Sequence, residues 1–272
     1  MSLRIQTNIE AFDAHRNLVQ TENQMSQSME RLSSGFRINK ASDDAAGLAI
    51  SEKLQTQVGG LDQAQRNAQD AVSLVQTGEG AMAEVQSMLQ RVRDLAVEYN
   101  NGTLSAADKA AITSEVAQLC AEINDIGQQT SFNGISLLTG GATITFQVGA
   151  NDGQTIAFTG VQLFGSGASF EVDSSIFTFS GSTVTLASID AAIDNVSQAR
   201  SLFGSVQNRL EHTLNNLATY EQNLSASESS IKDVDMASEM TNFTKLQILE
   251  QAGTAMLAQA NSSPQSVLKL LQ

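Results

Sequence analysis

Gly47-Leu48-Ala49-Ile50-Ser51-Glu52-Lys53-Leu54 opens a run, ending near Ala96, whose periodicity decides the fold. At alternating steps of three and four it reads Gly47, Ile50, Leu54, Gln57, Leu61, Ala64, Ala68, Ala71, Val75, Gly78, Met82, Val85, Leu89, Val92 and Ala96. Nearly every position is apolar or small. A period of about 3.5, held for about seven heptads, marks a long helix packed against other helices. About 50 helical residues span about 75 Å at about 1.5 Å each. That length exceeds any compact domain of this size, so the spacing predicts a rod whose partners are also long helices.

Working outward, the natural partner lies near the other end of the chain. Val196, Phe203, Leu210, Leu217, Leu224 and Ile231 fall at strict seven-residue intervals, with Ala199, Val206 and Tyr220 in companion positions. A shorter run, Ile112, Val116, Leu119, Ile123 and Ile126, follows the ladder. Asn100-Asn101-Gly102 separates the two, with Gly102 suited to a left-handed C-cap. Ser105 is the expected N-cap of the shorter helix, with Asp108 in its first turn. Asn39 to Asp44 offers caps for the ladder itself. Arg91 and Asp94, three apart on the long helix, read as a surface ion pair.

The period changes in the middle. Ile144, Phe146 and Val148 alternate with Thr143, Thr145 and Gln147, and Ile156 and Phe158 alternate likewise beyond Asn151-Asp152-Gly153. This predicts a β-hairpin with a loop of several residues. Phe170, Val172, Phe177, Phe179, Val184 and Leu186 are further short-strand candidates, and helix returns near Ser188.

Each terminus adds an amphipathic helix. Over residues 3–36, Ile5, Ile9 and Phe12 share one stripe, and Leu18, Met25, Met29, Leu32 and Phe36 another. From Met236 the pattern runs Met240, Phe243, Leu246, Leu249, Gly253, Met256 and Ala260. Ser263-Pro264 is expected to kink or restart that helix, and Val267, Leu268, Leu270 and Leu271 close the chain. Little else in the sequence can cover these stripes, so they await the other terminus, another copy, or both. The methionines equally suit an adaptable docking face for a transient partner. The fold class is therefore mainly α: an elongated antiparallel helical coiled-coil bundle with a small β-hairpin region mid-chain. Residues 1–43 and 231–272 form a terminal-helix domain, and 44–230 a rod with its β-rich segment at about 140–188.

Composition narrows function. The 272 residues carry a net charge of −14, which repels phosphate and argues against nucleic acid. No secretory h-region and no apolar segment of about 18 residues occurs, so no membrane insertion is expected. Two histidines, His15 and His212, and one Cys, Cys120, give no ligand-spaced cluster; neither metal nor cofactor is expected. Cys120 sits in an amphipathic run and reads as a buried, inert thiol. Asp43-Asp44 reads as a solvated helix N-terminus, and Asn151-Asp152-Gly153 as a turn. No constellation supports an enzyme.

Longer motifs bring a resemblance. Ser28-Met29-Glu30-Arg31-Leu32-Ser33-Ser34-Gly35-Phe36-Arg37-Ile38-Asn39, then Ala41-Ser42-Asp43-Asp44-Ala45-Ala46-Gly47, resembles the N-terminal signature of bacterial flagellin. Gln90-Arg91-Val92-Arg93-Asp94-Leu95-Ala96, Ser131-Phe132-Asn133-Gly134 and Gln251-Ala252-Gly253-Thr254-Ala255-Met256-Leu257-Ala258-Gln259-Ala260-Asn261 are similar to the same family. The likeness covers about 1–160 and 188–272, a short form without large outer domains. It implies a flagellar filament subunit, a helical homopolymer whose terminal helices line the core of the swimming propeller. Polymerisation would then rest on Ile5, Ile9, Phe12, Leu18, Met25, Leu32, Val267, Leu268, Leu270 and Leu271.

The resemblance further implies secretion to the extracellular flagellum by type III export, without a cleaved signal peptide. An export chaperone would bind Met240, Phe243, Leu246, Leu249, Met256 and Leu257, and hook-associated and cap proteins would be further partners. In some members Toll-like receptor 5 reads positions matching Gln90, Arg91, Leu95 and Glu115; Asp94 and Glu98 here depart from the common Glu and Gln. A hook–filament junction protein is the nearest alternative, and a soluble coiled-coil adaptor the alternative of another class.

Overall fold

The computed structural model describes residues 8–140, 143–162 and 185–270, with side chains to Ser262. Five helices and four strands follow in order: α1 Ile9–Ser34, α2 Ala45–Tyr99, α3 Ala106–Gln129, β1 Ser131–Phe132, β2 Ile135–Ser136, β3 Thr143–Gln147, β4 Thr155–Thr159, α4 Leu186–Lys232 and α5 Met236–Leu270. The chain divides into two compact units, one of Met1–Thr56 with Asn223–Gln272 and one of Gln57–Gln222.

In the second unit the ladder does what its period demands. Leu61, Ala64, Ala68, Ala71, Val75, Met82, Val85, Leu89, Val92 and Ala96 are all buried. From Ala68 onward they meet Ile112, Val116, Cys120 and Ile123 of α3 and Val196, Ala199, Phe203 and Leu210 of α4 in one core. Gly78 is needed there. A Cβ at that position would sit inside van der Waals contact of the Phe203 ring, only 3.0 Å from its Cζ. Phe203 is also met edge-on by Phe158 of β4, with ring centroids 4.8 Å apart. Ion pairs stitch the helices at the rim: Arg200 Nη2 to Glu79 at 2.5 Å and Arg93 Nε to Asp190 at 2.6 Å.

The strands form two antiparallel pairs. β3 and β4 register Thr143 with Thr159 through Gln147 with Thr155, so Ile156 and Phe158 turn inward as the alternation predicts. Their loop closes through Val148 N–H donating to the Gln154 carbonyl at 2.9 Å, and Gly153 has φ +81°. β1 and β2, two residues each, are too short to show an alternation in the sequence. Asn133 (φ 50°) and Gly134 (φ 77°) make their two-residue turn, the conformation that favours Asn-Gly in tight hairpins.

Several expectations are corrected. Leu186 begins α4 and is not a strand residue; Phe170, Val172, Phe177, Phe179 and Val184 lie outside the described residues. Gly102 does not adopt positive φ. The α2 end is closed instead by Asn100 and Asn101 N–H groups donating to the Ala96 and Glu98 carbonyls. Ser105 and Asp108 form a reciprocal capping box on α3. The backbone stays helical through Pro264, so α5 does not restart there. Ile50 is exposed: at the start of α2 the buried positions are Gly47, Ser51 and Leu61, with Ser51 Oγ donating to the Leu48 carbonyl. Cys120 is buried as expected, and desolvation pushes its thiol up to about 11.

Candidate assembly surface

In the first unit, α1 and α5 run antiparallel. Half-buried or buried positions recur on α1 at Ala11, Ala14, Leu18, Thr21, Met25, Ser28 and Leu32, and on α5 at Glu239, Phe243, Leu246, Glu250, Gly253, Leu257 and Ala260. Both sets keep steps of three and four, so the two helices meet along a heptad seam. Small residues set its spacing. Leu18 lies over Gly253, where a Cβ would come within 3.3 Å of Leu18 Cδ1. Buried Ser28 donates its hydroxyl to the Glu239 carboxylate. Asn8 caps α1 by accepting from the Ala11 N–H, while its Nδ2 donates to the Ala260 carbonyl at 2.7 Å.

A latch joins the ends of these helices to their neighbours. Gly35, with φ +77°, terminates α1 as a left-handed cap. Phe36 then bridges Asp233: Arg37 N–H donates to the Lys232 carbonyl at 2.7 Å, and Val234 N–H to the Gly35 carbonyl at 3.0 Å. Lys232 Nζ stands 4.7 Å above the Phe36 ring. Asp44 accepts from Gly47 N–H at the start of α2, and Asp43 from Asn39 and Lys40 N–H groups, which hold the Asp43 carboxyl below its usual range.

Large apolar side chains stand among polar ones on the outward faces. Phe12 is 70% exposed, Ile248 61% and Met256 63%, and Ile9, Val19, Met29, Met236, Met240 and Leu249 are exposed around them. The structure thus divides the sequence-predicted polymerisation set. Leu18, Met25 and Leu32 face the seam, whereas Ile9 and Phe12 face solvent. Ile5 and Leu271 lie outside the described residues, as do the side chains of Val267, Leu268 and Leu270. The predicted chaperone set divides the same way: Phe243, Leu246 and Leu257 are in the seam, and Met240, Leu249 and Met256 are outside it.

On the second unit, Arg91 places Nε and Nη2 3.0 and 2.7 Å from Glu115 Oε1 of α3. This hydrogen bond, with the Glu115 charge, raises the Arg91 pKa. Arg91 therefore pairs across helices with Glu115 and not along its own helix with Asp94. Gln90 is exposed beside it, but Leu95 is only 2% exposed, beneath the surface. Among the described residues no cluster of His, Cys, Asp and Glu could hold a metal, and no helix is long and apolar enough to cross a membrane.

A seam-paired helix couple and a unit of long packed helices are the architecture of a structural protein. Comparison with known proteins gives the family. Residues 5–143 match the bacterial flagellin N-terminal helical region, and residues 186–271 the bacterial flagellin C-terminal helical region. A flagellin of Halalkalibacterium halodurans is 49% identical, covering 98% of this chain and 99% of its own. A flagellin of Bacillus subtilis is 44% identical over 99% of this chain and all of its own length. A flagellar filament 33 kDa core protein of Treponema phagedenis is 43% identical over 98% of this chain and 99% of its own. The chain belongs to the bacterial flagellin family. It is a structural subunit of the flagellar filament, self-polymerising and serving motility, and not an enzyme.

Proposed function

We propose that the outward faces of α1 and α5 are the surfaces through which subunits polymerise, and that residues 1–43 and 231–272 act as the filament-core domain while 44–230 act as the rod. The carrying observation is the exposure of Phe12, Ile248 and Met256 on helices whose seam is already satisfied. Burying one such side chain contributes about 1.5–3 kcal/mol, so a repeated, non-closing contact drives an open helical polymer. Seeded growth followed by negative-stain electron microscopy tests this. Phe12→Asp and Ile248→Asp should abolish elongation, and normal filaments from both would overturn the assignment.

The same reading extends to partners. The subunit travels out of the cell through the flagellar type III apparatus without a cleaved signal. Its chaperone takes α5, and hook-associated and cap proteins meet the same terminal helices at the filament ends. Phe243, Leu246 and Leu257 face α1, so a chaperone using all six predicted positions must displace α1. Gln90, Arg91 and Glu115 form the surface offered to Toll-like receptor 5, with buried Leu95 supporting them from below. Arg91→Ala should weaken receptor reporter activity; equal potency to wild type would remove the receptor from the list.

A further inference from the structure

Methionine is distributed unevenly between the two units. In Gln57–Gln222, Met82 is fully buried, and Met88 is partly buried against the same core. In the other unit, Met29 is 53% exposed, Met236 48%, Met240 50% and Met256 63%. Met25 is half-buried in the α1–α5 seam. Every strongly exposed thioether among the described residues therefore lies on the helices assigned above to assembly. Thioether oxidation follows access to solvent, and it turns a flexible apolar side chain into a polar, chiral one.

We propose that Met29, Met236, Met240 and Met256 are peroxide-reactive modification sites that together switch the unassembled subunit between growth-competent and growth-incompetent states. This rests on the assembly reading of the α1 and α5 outward faces. In the step itself, a sulfur lone pair attacks one peroxide oxygen and the O–O bond breaks. The new S–O bond completes the sulfoxide, and the other oxygen leaves as water after proton transfer. Sulfur is oxidised by an electron pair and peroxide is reduced by the same pair. The sulfoxide oxygen is a strong hydrogen-bond acceptor, and on a face meant to meet apolar side chains it finds no donor. Reductases specific for each sulfoxide epimer reverse the change. Burial protects Met82, so the core of the second unit keeps its packing while the assembly face loses its own. Incorporation into a filament removes the same sulfurs from solvent, which confines the switch to the free subunit.

The test uses the full-length chain. Monomer is treated with dilute hydrogen peroxide, quenched, mapped by peptide mass spectrometry and added to seeds. The sulfoxides should appear at Met29, Met236, Met240 and Met256 before Met82, and elongation should slow by about tenfold or more, the scale of a single misplaced polar group. Reduction with both epimer-specific methionine sulfoxide reductases should restore growth. A variant carrying Met29→Leu, Met236→Leu, Met240→Leu and Met256→Leu, which nearly conserves volume, should lose no growth to peroxide when compared with its own untreated sample. Three results would each overturn the proposal: unmodified sulfurs at the four positions, undiminished growth of the fully modified subunit, or equal loss of growth in the leucine variant. If Phe12→Asp and Ile248→Asp block growth while peroxide does not, the switch fails and the assembly reading stands. If those charge variants also grow normally, the assembly reading itself has failed.

Discussion

The helices of Gln57–Gln222 and the α1–α5 pair share one heptad grammar, yet they end in different states. In the former, Leu89, Val92, Phe203 and Leu210 are wholly removed from water, and three helices and a β-hairpin close around them. In the latter, Leu246 is the single large apolar side chain fully buried among the described residues, while Phe12, Ile248 and Met256 face solvent. Two helices offer each other one seam only; three or more are needed to cover a second face. One unit is thus complete within one chain, and the other leaves large apolar side chains uncovered on the faces proposed above to meet further copies.

The largest expected effect tests the completed unit. Phe203→Ala removes a ring packed on Gly78 and Phe158 and should cost about 3–5 kcal/mol, read as a lower urea midpoint. Leu246→Ala should cost about 2–3 kcal/mol, but only on the α1–α5 pair. It should reduce helicity without shifting the melting of the second unit, and a shared loss would erase the distinction drawn here. Cys120 sharpens the contrast kinetically. With its thiol buried and raised to about 11, alkylation at neutral pH should be blocked in the folded chain and become rapid once urea unfolds it. Prompt labelling of native protein would show that the core opens locally.

The smallest effect concerns the α3 cap. Ser105→Ala should cost about 1 kcal/mol in the second unit. Hydrogen bonds from the Ser105 hydroxyl and N–H lower the Asp108 pKa. A carboxylate with a depressed folded pKa contributes stability above its unfolded value, near about 3.9, and loses it as pH falls through the folded value. The penalty of Ser105→Ala should therefore shrink in acid below about pH 4, seen in paired thermal melts; a constant penalty would exclude the ionised cap.

Much of this was legible in the chain. The ladder gives α2, the seven-residue series from Val196 gives α4, and the alternation around Ile144 and Ile156 gives the hairpin, because each pattern is long or strict. The α1–α5 seam is only partly legible: Leu18, Met25 and Leu32 on α1 and Phe243, Leu246, Gly253 and Ala260 on α5 fall in the sequence stripes, whereas Ala11, Ala14, Thr21 and Ser28 carry no hydrophobic signature. The stripe containing Ile9 and Phe12 is visible in sequence, but which side faces α5 depends on the partner helix. The ladder places Ile50 in the seam because one step of three replaces a step of four, and Ser51, though polar, occupies the buried place. Spacing pairs Arg91 with Asp94 because the neighbour on the same helix is readable, while Glu115 is brought close only by packing of α3 on α2. Asn8 carries a local cap signal that could have been found.

Amide hydrogen exchange, compared between free subunit and filament, tests the central claim most directly. The account predicts strong protection of Leu61–Tyr99 and Ile189–Leu217 in both states, and weak protection of α1 and α5 in the free subunit that rises sharply in the filament. Equal protection of α1 and α5 in the two states would contradict it, since helices already complete in one chain would have nothing left to gain from assembly.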